Sequence, residues 1–568
     1  MKRVLLLMIP ALIVYQFIGH YYWNYFAGPF RYGFFVVLAA CTLPYLFAFA
    51  APGDRTEVPG SRPGLLALVL ALVAVLWVVL AYPWIAMPPH IYGDETHHFH
   101  RVLEEMTWWR GLADGQAPSF PGPWFVFYPA LGYLPTVILG GLFHWTFSTE
   151  SVTVMRMSMA FWLLLTAFAA YRLVVELKLT SWWHECLVLI LTLSVPVLYA
   201  YQVSFYIELP YVPLQLFSLL FALRYLRSET RADWVIAIGF AALGTLVRES
   251  VWPFALCLST VLSLRALAQR RFFWGLWGPI AGLGPFVLYY AARYLYTNGG
   301  YDGSRLSFAN LPQQDWPALF LSAPQYLGLG ICLGVLGVVW ALPRMSRQER
   351  LLVLAVCLPS LGLALLEYGI FEPGWMPWSR NYFLFVGPAI LVFLVCAKYF
   401  LQAAGRIWAV ALFLVCMVGN LYILHGLFGD DRYFHENEAV FNVEQVLKKA
   451  ALPQGTVVYD CRPLFFQHVV AEQPINTCPY ILGFLPWETI GNKYPQDARY
   501  ILYYHFRNRV KLAIFVRRKR PAPPVSAEEL GSEYRIIARV DDPFSQGEIG
   551  VTLIERLNAQ KSDQANEN

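Results

Sequence analysis

LLALVLALVAVLWVVLAYPW, Leu65 to Trp84, and the YGDETHHFHRV that follows it, Tyr92 to Val102, decide the reading of this chain. The first run carries no charge and is long enough to cross a bilayer core of roughly 30 Å as a helix. The second packs Asp94, Glu95, His97, His98, His100 and Arg101 into a few positions. Charge that dense, directly beyond a span, marks a membrane–water boundary. A lipid-borne and a water-borne reactant can both be reached there.

Outward from this stretch the pattern repeats. The chain has 568 residues, 58% hydrophobic and only 14% charged, with a mean hydropathy of +0.47. A soluble domain is nearer half apolar and a quarter charged. Apolar windows of span length lie near 4–20, 31–50, 64–86, 152–174, 184–204, 208–227, 233–249, 251–268, 272–294, 324–342, 350–370, 382–400 and 405–427. The fold class is therefore an all-α polytopic membrane protein of about thirteen transmembrane helices. Residues 126–147 are apolar too, but Pro129, Gly132, Pro135 and Gly140–Gly141 interrupt them. They are expected to lie as helices at the outer face, within an outer loop 88–150. The net charge of +5 is spread over loops, which excludes a nucleic-acid partner. No internal repeat is present.

Basic residues orient the spans. With 126–147 outside, one side carries Lys2, Arg3, Arg55, Arg62, Arg172, Arg224, Arg227, Arg265, Arg271, Arg344, Arg347, Arg350 and Lys398, among others. That is about twice the Lys and Arg of the opposite side, over shorter loops, and enrichment of this kind marks the cytoplasm. Asp94 and Glu95 are then expected outside the cytoplasm. The first span follows Lys2–Arg3 and exits through Gly19-His20-Tyr21-Tyr22-Trp23 with no small-residue cleavage site, so it is expected to stay as an anchor.

After the transmembrane domain, 1–427, the character changes. Residues 428–568 are expected to form a small extracytoplasmic α/β domain with a polar tail. Glu436 to Lys449 has an amphipathic helical pattern, and strands are expected at 456–460, 500–504, 512–516, 534–540 and 548–554. Cys461 and Cys478 are the two cysteines of this domain and could pair. The other seven lie in or near apolar spans.

Four short motifs carry the chemistry. They are Asp94-Glu95-Thr96-His97-His98-Phe99, then Tyr128-Pro129-Ala130-Leu131-Gly132-Tyr133 with Arg156 opening the next span, then Val247-Arg248-Glu249-Ser250-Val251-Trp252, then Arg380-Asn381-Tyr382 with Gly387-Pro388. In order and placement they resemble the GT-C superfamily of integral-membrane glycosyltransferases. Protein O-mannosyltransferases and the dolichyl-phosphate-glucose α-1,2-glucosyltransferase give the nearest echoes. The chain departs from the O-mannosyltransferase pattern at Ala130, where a second proline is usual, and at Tyr128, where histidine often stands. The resemblance implies a GT-C-like catalytic domain over 1–427. Its substrates would be a polyprenyl- or dolichyl-phosphate-linked sugar donor and a glycan, lipid or protein acceptor.

The residue types suit that reaction. An acceptor hydroxyl must lose a proton as it attacks the anomeric carbon, and a carboxylate within reach can take it. Asp94 is the candidate base, with Glu95 holding the acceptor or tuning Asp94. The leaving group is a lipid phosphate, which needs cations, and arginine offers a fixed charge and a fork of donors. Arg248 and Arg380 are the candidates, with Arg156, Glu249, His97 and His98 completing the binding set.

Plainer readings stand beside these. Asp94 and Glu95 could be solvated loop charges. His97 and His100 have a spacing that a divalent cation could use on a helix, but no distinctive metal pattern is present, so the histidines equally suit surface or acceptor contacts. Arg248 and Glu249 could be a structural ion pair, and Arg156 and Arg380 could snorkel to the interface. A lipid-linked-sugar flippase or transporter is the alternative function, as is transfer of another lipid-phosphate-borne group. Transporters usually show repeats and helices broken at mid-membrane. The chain has no Asn-x-Ser/Thr site, which favours a bacterial inner membrane over the endoplasmic reticulum.

Overall fold

The computed structural model describes residues 2–18, 64–69, 130–139, 152–179, 181–200, 209–296, 307–314, 316–370, 382–430, 445–460, 469–470, 473–477, 495–506, 525–541 and 549–557, with isolated positions between them. These fall into two compact units, a helical one and, after it, one built on a sheet. Among the described residues five helical stretches are long and apolar enough to cross a membrane: Ala160–Leu177, Glu249–Ala268, Phe272–Ala291, Arg347–Ile370 and Leu384–Ala403.

In the helical unit the described elements fall in the apolar windows other than 31–50 and 64–86, most of which lie outside the described residues. They are α1 (Lys2–Ile18), α2 (Val152–Leu177), α3 (Trp182–Leu193), α4 (Tyr211–Ser228), α5 (Arg231–Val247), α6 (Trp252–Ala268), α7 (Phe272–Tyr296), α8 (Trp316–Leu327), α9 (Leu329–Leu336), α10 (Val338–Ala341), α11 (Arg347–Ile370), α12 (Phe383–Ala403) and α13 (Arg406–Asp430). The hairpin of α4 and α5 is central. It packs against α1, α2, α7 and α12, and nearly every residue of both helices is buried. The small residue of the Gly387-Pro388 pair has a packing reason. A Cβ at Gly387 would lie 2.8 Å from Cβ of Gln215, so glycine lets α12 close on α4.

Two windows expected as single spans are broken. The 184–204 window stops at Leu193 and restarts at Pro196, and the 324–342 window breaks at Gly328 (φ +81°). One buried side chain joins both breaks. Asn420 of α13 accepts from the Leu329 N–H (3.0 Å) and donates to Ser194 Oγ (2.9 Å). The free backbone groups at a helix start thereby find partners inside the apolar unit. A third irregularity lies within α11, where Val353–Cys357 is π-helical and the Leu358 N–H reaches back to Val353. Pro359 follows at once. It has no N–H for the Ala355 carbonyl and its ring crowds that carbonyl, so the ladder widens there.

The segment expected to lie at the outer face is described over 130–139. Ala130–Tyr133 is a single 3-10 turn packed against α1 and α5, followed by helical residues to 139. Tyr133 and Thr136 are fully buried, so this part is packed into the unit rather than laid over it.

Charges separate by helix end. Glu176, closing α2, accepts from Arg224 (2.9 Å) and Arg227 (3.1 Å) of α4. Glu349, opening α11, accepts from Lys398 (2.7 Å) and the Tyr399 hydroxyl (2.6 Å), with Arg227 3.8 Å away. Lys2 meets Asp233 at 2.8 Å, and Arg265 meets Glu229 at 2.6 Å. Every cation here belongs to the set that the sequence assigned to one side.

The second unit holds six strands: β1 (Val458–Asp460), β2 (Val469–Val470), β3 (Gln473–Thr477), β4 (Tyr500–Phe506), β5 (Tyr534–Asp541) and β6 (Ile549–Arg556). Their order is β2-β3-β1-β4-β6-β5. β1 runs parallel to β3 and β4, and β6 runs antiparallel to β4 and β5. Alternation along β4 divides the core. Leu502 and Tyr504 pack with Val443, Val446 and Leu447 on one face, while Ile501 and Tyr503 pack with Trp487, Val525 and Leu530 on the other. Four expected strands are present, and the fifth, 512–516, lies outside the described residues. β2 and β3 are additional, the second being QPINT, whose polar sequence gives no strand pattern.

Candidate functional site

The third motif forms the turn between α5 and α6, at the end of the unit away from the Glu176 and Glu349 clusters. Arg248 leaves the helix in an extended conformation (φ −147°, ψ 124°), its N–H still bonded to Gly244 O at 3.0 Å. Glu249–Val251 makes one 3-10 turn, closed by Val251 N–H to Arg248 O at 3.2 Å. Trp252-Pro253 then starts α6, a helix entry where the missing N–H costs nothing. Val251 is the one fully buried residue of the turn. It leaves Arg248, Glu249 and Ser250 half-buried at the rim.

A further acid joins them. Glu367, one turn before the end of α11, is hydrogen-bonded with the Ser250 and Trp252 side chains and lies within electrostatic reach of Arg248 and Glu249. Nothing in the motif reading pointed to it. The available signal was an ionisable residue inside the apolar run LGLALLEYGIF, since such residues within spans are costly and commonly functional.

The end of α11 is firmly held. Ile370 O accepts from Ser307 N–H (2.8 Å) and Asn310 Nδ2 (3.0 Å), and Gly369 O accepts from Gln314 Nε2 (3.3 Å). The last carbonyls of the helix are thus satisfied by a separate segment. Tyr368 is buried edge-on against Trp316, with ring centroids 5.6 Å apart. A Cβ on Gly369 would fall 2.5 Å from Leu311, so that contact requires glycine. The three residues that follow Glu367 are thus fixed in place.

The fourth motif is anchored through Tyr382. Its hydroxyl lies 2.5 Å from Leu319 O and 2.6 Å from Ser322 Oγ, and its ring stacks on Tyr326. Arg156 falls in the first turns of α2, of which the backbone alone is described. Asp94, Glu95, His97, His98, Arg380 and the Cys461 and Cys478 pair lie outside the described residues. Of the expected site, then, Arg248 and Glu249 are seen together. Eleven residues after Asp94 in sequence, Glu105 is fully buried, and burial pushes its carboxyl well above the usual range. Among the described residues no group of His, Cys, Asp or Glu is gathered for a metal ion.

Chemically, the cluster offers one guanidinium, two carboxylates, a hydroxyl and an indole N–H at a helix-end rim. It can hold an anionic or hydroxyl-rich group. A phosphate bound here would share Arg248 with the carboxyl groups of Glu249 and Glu367.

No family model matches the chain, and no curated protein matches it in sequence. Among solved structures it is similar to ArnT from Cupriavidus metallidurans in the apo state (TM-score 0.47, 12% identity, covering 86% of this chain and 98% of that one). It is also similar to the oligosaccharyltransferase AglB from Archaeoglobus fulgidus in complex with an inhibitory peptide and a dolichol-phosphate (TM-score 0.42, 12% identity, 78% and 69%). A third is the arabinosyltransferase EmbB from Mycobacterium smegmatis (TM-score 0.38, 13% identity, 74% and 36%). The chain is similar to all three at low sequence identity.

Proposed function

We propose that this protein is an integral-membrane glycosyltransferase that moves a sugar from a polyprenyl-phosphate carrier to an acceptor hydroxyl. The active site faces away from the cytoplasm, in a bacterial inner membrane. Asp94 takes the acceptor proton, Glu95 holds the acceptor, and Arg248 and Arg380 receive the lipid phosphate. The donor is a hexosyl or pentosyl lipid phosphate.

The observation that carries the reading is the charged cluster of Arg248, Glu249 and Glu367 at the end of the helical unit opposite its basic end. Charge at membrane depth is expensive unless it serves an ion or a substrate. Glu176, Glu349, Asp233 and Glu229 at the other end pair with Lys and Arg of neighbouring helices, whereas the Arg248 cluster sits in the motif shared with the glucosyltransferase pattern. Purified protein incubated with a panel of radiolabelled polyprenyl-phosphate sugars should release label from one donor in the presence of acceptor. Label left on every carrier, with folded protein, would remove the proposal.

A further inference from the structure

A cleft of about 130 Å³ opens between α3, α9, α10, α12 and α13. Its lining is apolar, including Leu191, Gly334, Trp340, Phe393, Phe400 and Leu412. Gly334 makes the cleft narrow, because a Cβ there would stand 2.8 Å from Cα of Phe393. The faces beside it are also apolar and open: Leu336, Val339, Ile407 and Trp408 are all strongly exposed. A contiguous patch of this kind on a membrane helix faces lipid.

One end of the cleft distinguishes it: Trp340, Phe400, Leu401 and Ala409 line it near the end of α10 and the join of α12 to α13. Trp340 lines the cleft, and the Arg344 guanidinium sits 4.2 Å from its ring centroid and donates to its carbonyl at 2.7 Å. Arg347 and Arg350 follow on the first turn of α11. All three arginines are exposed, and none has a carboxylate partner among the described residues. Nearby Lys398 differs, being held by Glu349.

We infer that this cleft binds one acyl chain of an anionic phospholipid, with the lipid phosphate seated on Arg344 and flanked by Arg347 and Arg350. The chain lies against Phe393 and Phe400. Trp340 sits at the boundary, where an indole is at home. Basic pockets between spans on the cytoplasmic side suit anionic head groups, and an arginine can meet a phosphate through two parallel donors. The site stands apart from the Arg248 cluster and does not rest on the proposed reaction.

Bromine on an acyl chain quenches tryptophan at contact, which gives a direct test. Full-length protein in phosphatidylcholine nanodiscs is titrated with dibrominated phosphatidylglycerol or with phosphatidylcholine of the same chains. The Trp340 signal is taken as the difference between the native protein and Trp340→Phe. Phosphatidylglycerol should quench Trp340 at a mole fraction at least roughly fivefold lower, the scale of one arginine near a membrane surface. Arg344→Gln should bring its curve close to that of phosphatidylcholine. Ala397→Phe, which fills the cleft from α12, should abolish quenching by both. Equal curves for the two lipids in the native protein would overturn the inference, as would an unchanged preference in Arg344→Gln. Displacement of the brominated lipid more readily by undecaprenyl phosphate than by plain phosphatidylglycerol would also overturn it, assigning the cleft to the carrier chain.

Discussion

At the scale of single residues, the proposed chemistry depends on who holds each charge. Asp94→Asn keeps the size of the side chain and removes its basicity. Turnover should fall by roughly 10²–10⁴, the usual scale for losing a general base, and Glu95→Gln should cost less. Near-normal transfer by Asp94→Asn, read with the labelled donor, excludes it. Arg248 poses a sharper question because Glu367 also reaches it. Arg248→Ala should weaken donor binding and slow transfer, with Arg248→Lys recovering only part. Glu367→Gln keeps the shape of the side chain and its contacts with Ser250 and Trp252, and should leave donor binding near the native value. If donor affinity stays constant across these variants while melting temperatures fall, Arg248 is a structural partner of Glu249 and Glu367. Glu367 was open to notice as a lone acid in an apolar run, but its partners were not. Ser250 and Trp252 are more than a hundred residues away in sequence, and nothing in a hydropathy window pairs them.

At the scale of elements, periodicity and turn chemistry made the helices legible, and side-chain partnerships decided where they break. The pattern of α4 and α5 is readable because both are apolar throughout and buried on all sides. The breaks at Ser194 and Gly328 were not readable as a pair, since Asn420 joins them from a third helix. Asn420→Leu should lower stability by about 1–3 kcal/mol, the cost of leaving the Leu329 N–H without its partner. Ser194→Ala added to that variant should cost little more, because the two share one interaction. Thermal melts of the single and double variants check both statements. In the sheet, β6 carries Glu555 opposite Arg535, and Arg499 reaches the same carboxylate at 3.0 Å. Burial disfavours its charge, but the hydrogen bonds from Arg535 and Arg499 prevail and hold it below the usual carboxylate range. A lowered carboxyl stabilises the fold above its unfolded value of about 4.3, and that contribution is lost as pH falls through the lower folded value. Glu555→Gln should therefore melt below the native protein at pH 7, and the gap should close on acidification below about pH 4. A gap independent of pH would mean that the carboxylate charge contributes nothing.

At the scale of the whole molecule, the two ends of the helical unit differ in what their charges do. At one end Arg224 and Arg227 pair with Glu176, Lys398 with Glu349 and Lys2 with Asp233, while Arg344, Arg347 and Arg350 stay exposed. The other gathers Arg248, Glu249 and Glu367 within one turn and the helix end beside it. That asymmetry was legible in outline from counts of Lys and Arg alone, because translocation selects for it along the chain. The pairs themselves were not, since Glu176 and Glu349 are single acids at helix ends whose partners come from other helices. The orientation yields a direct expectation. If the paired end faces the cytoplasm, reporter fusions at Gln116 and near Lys561 should both read extracytoplasmic, and fusions after Arg227 or Gln348 should read cytoplasmic. The position of 126–147 controls the outcome. If that segment crosses the membrane, each later helix inverts, Gln116 and Lys561 report from opposite sides, and the acidic motif parts company with the Arg248 turn. A transfer reaction needs both at one face, so a split result for these two fusions would end the proposed active site as well as the topology.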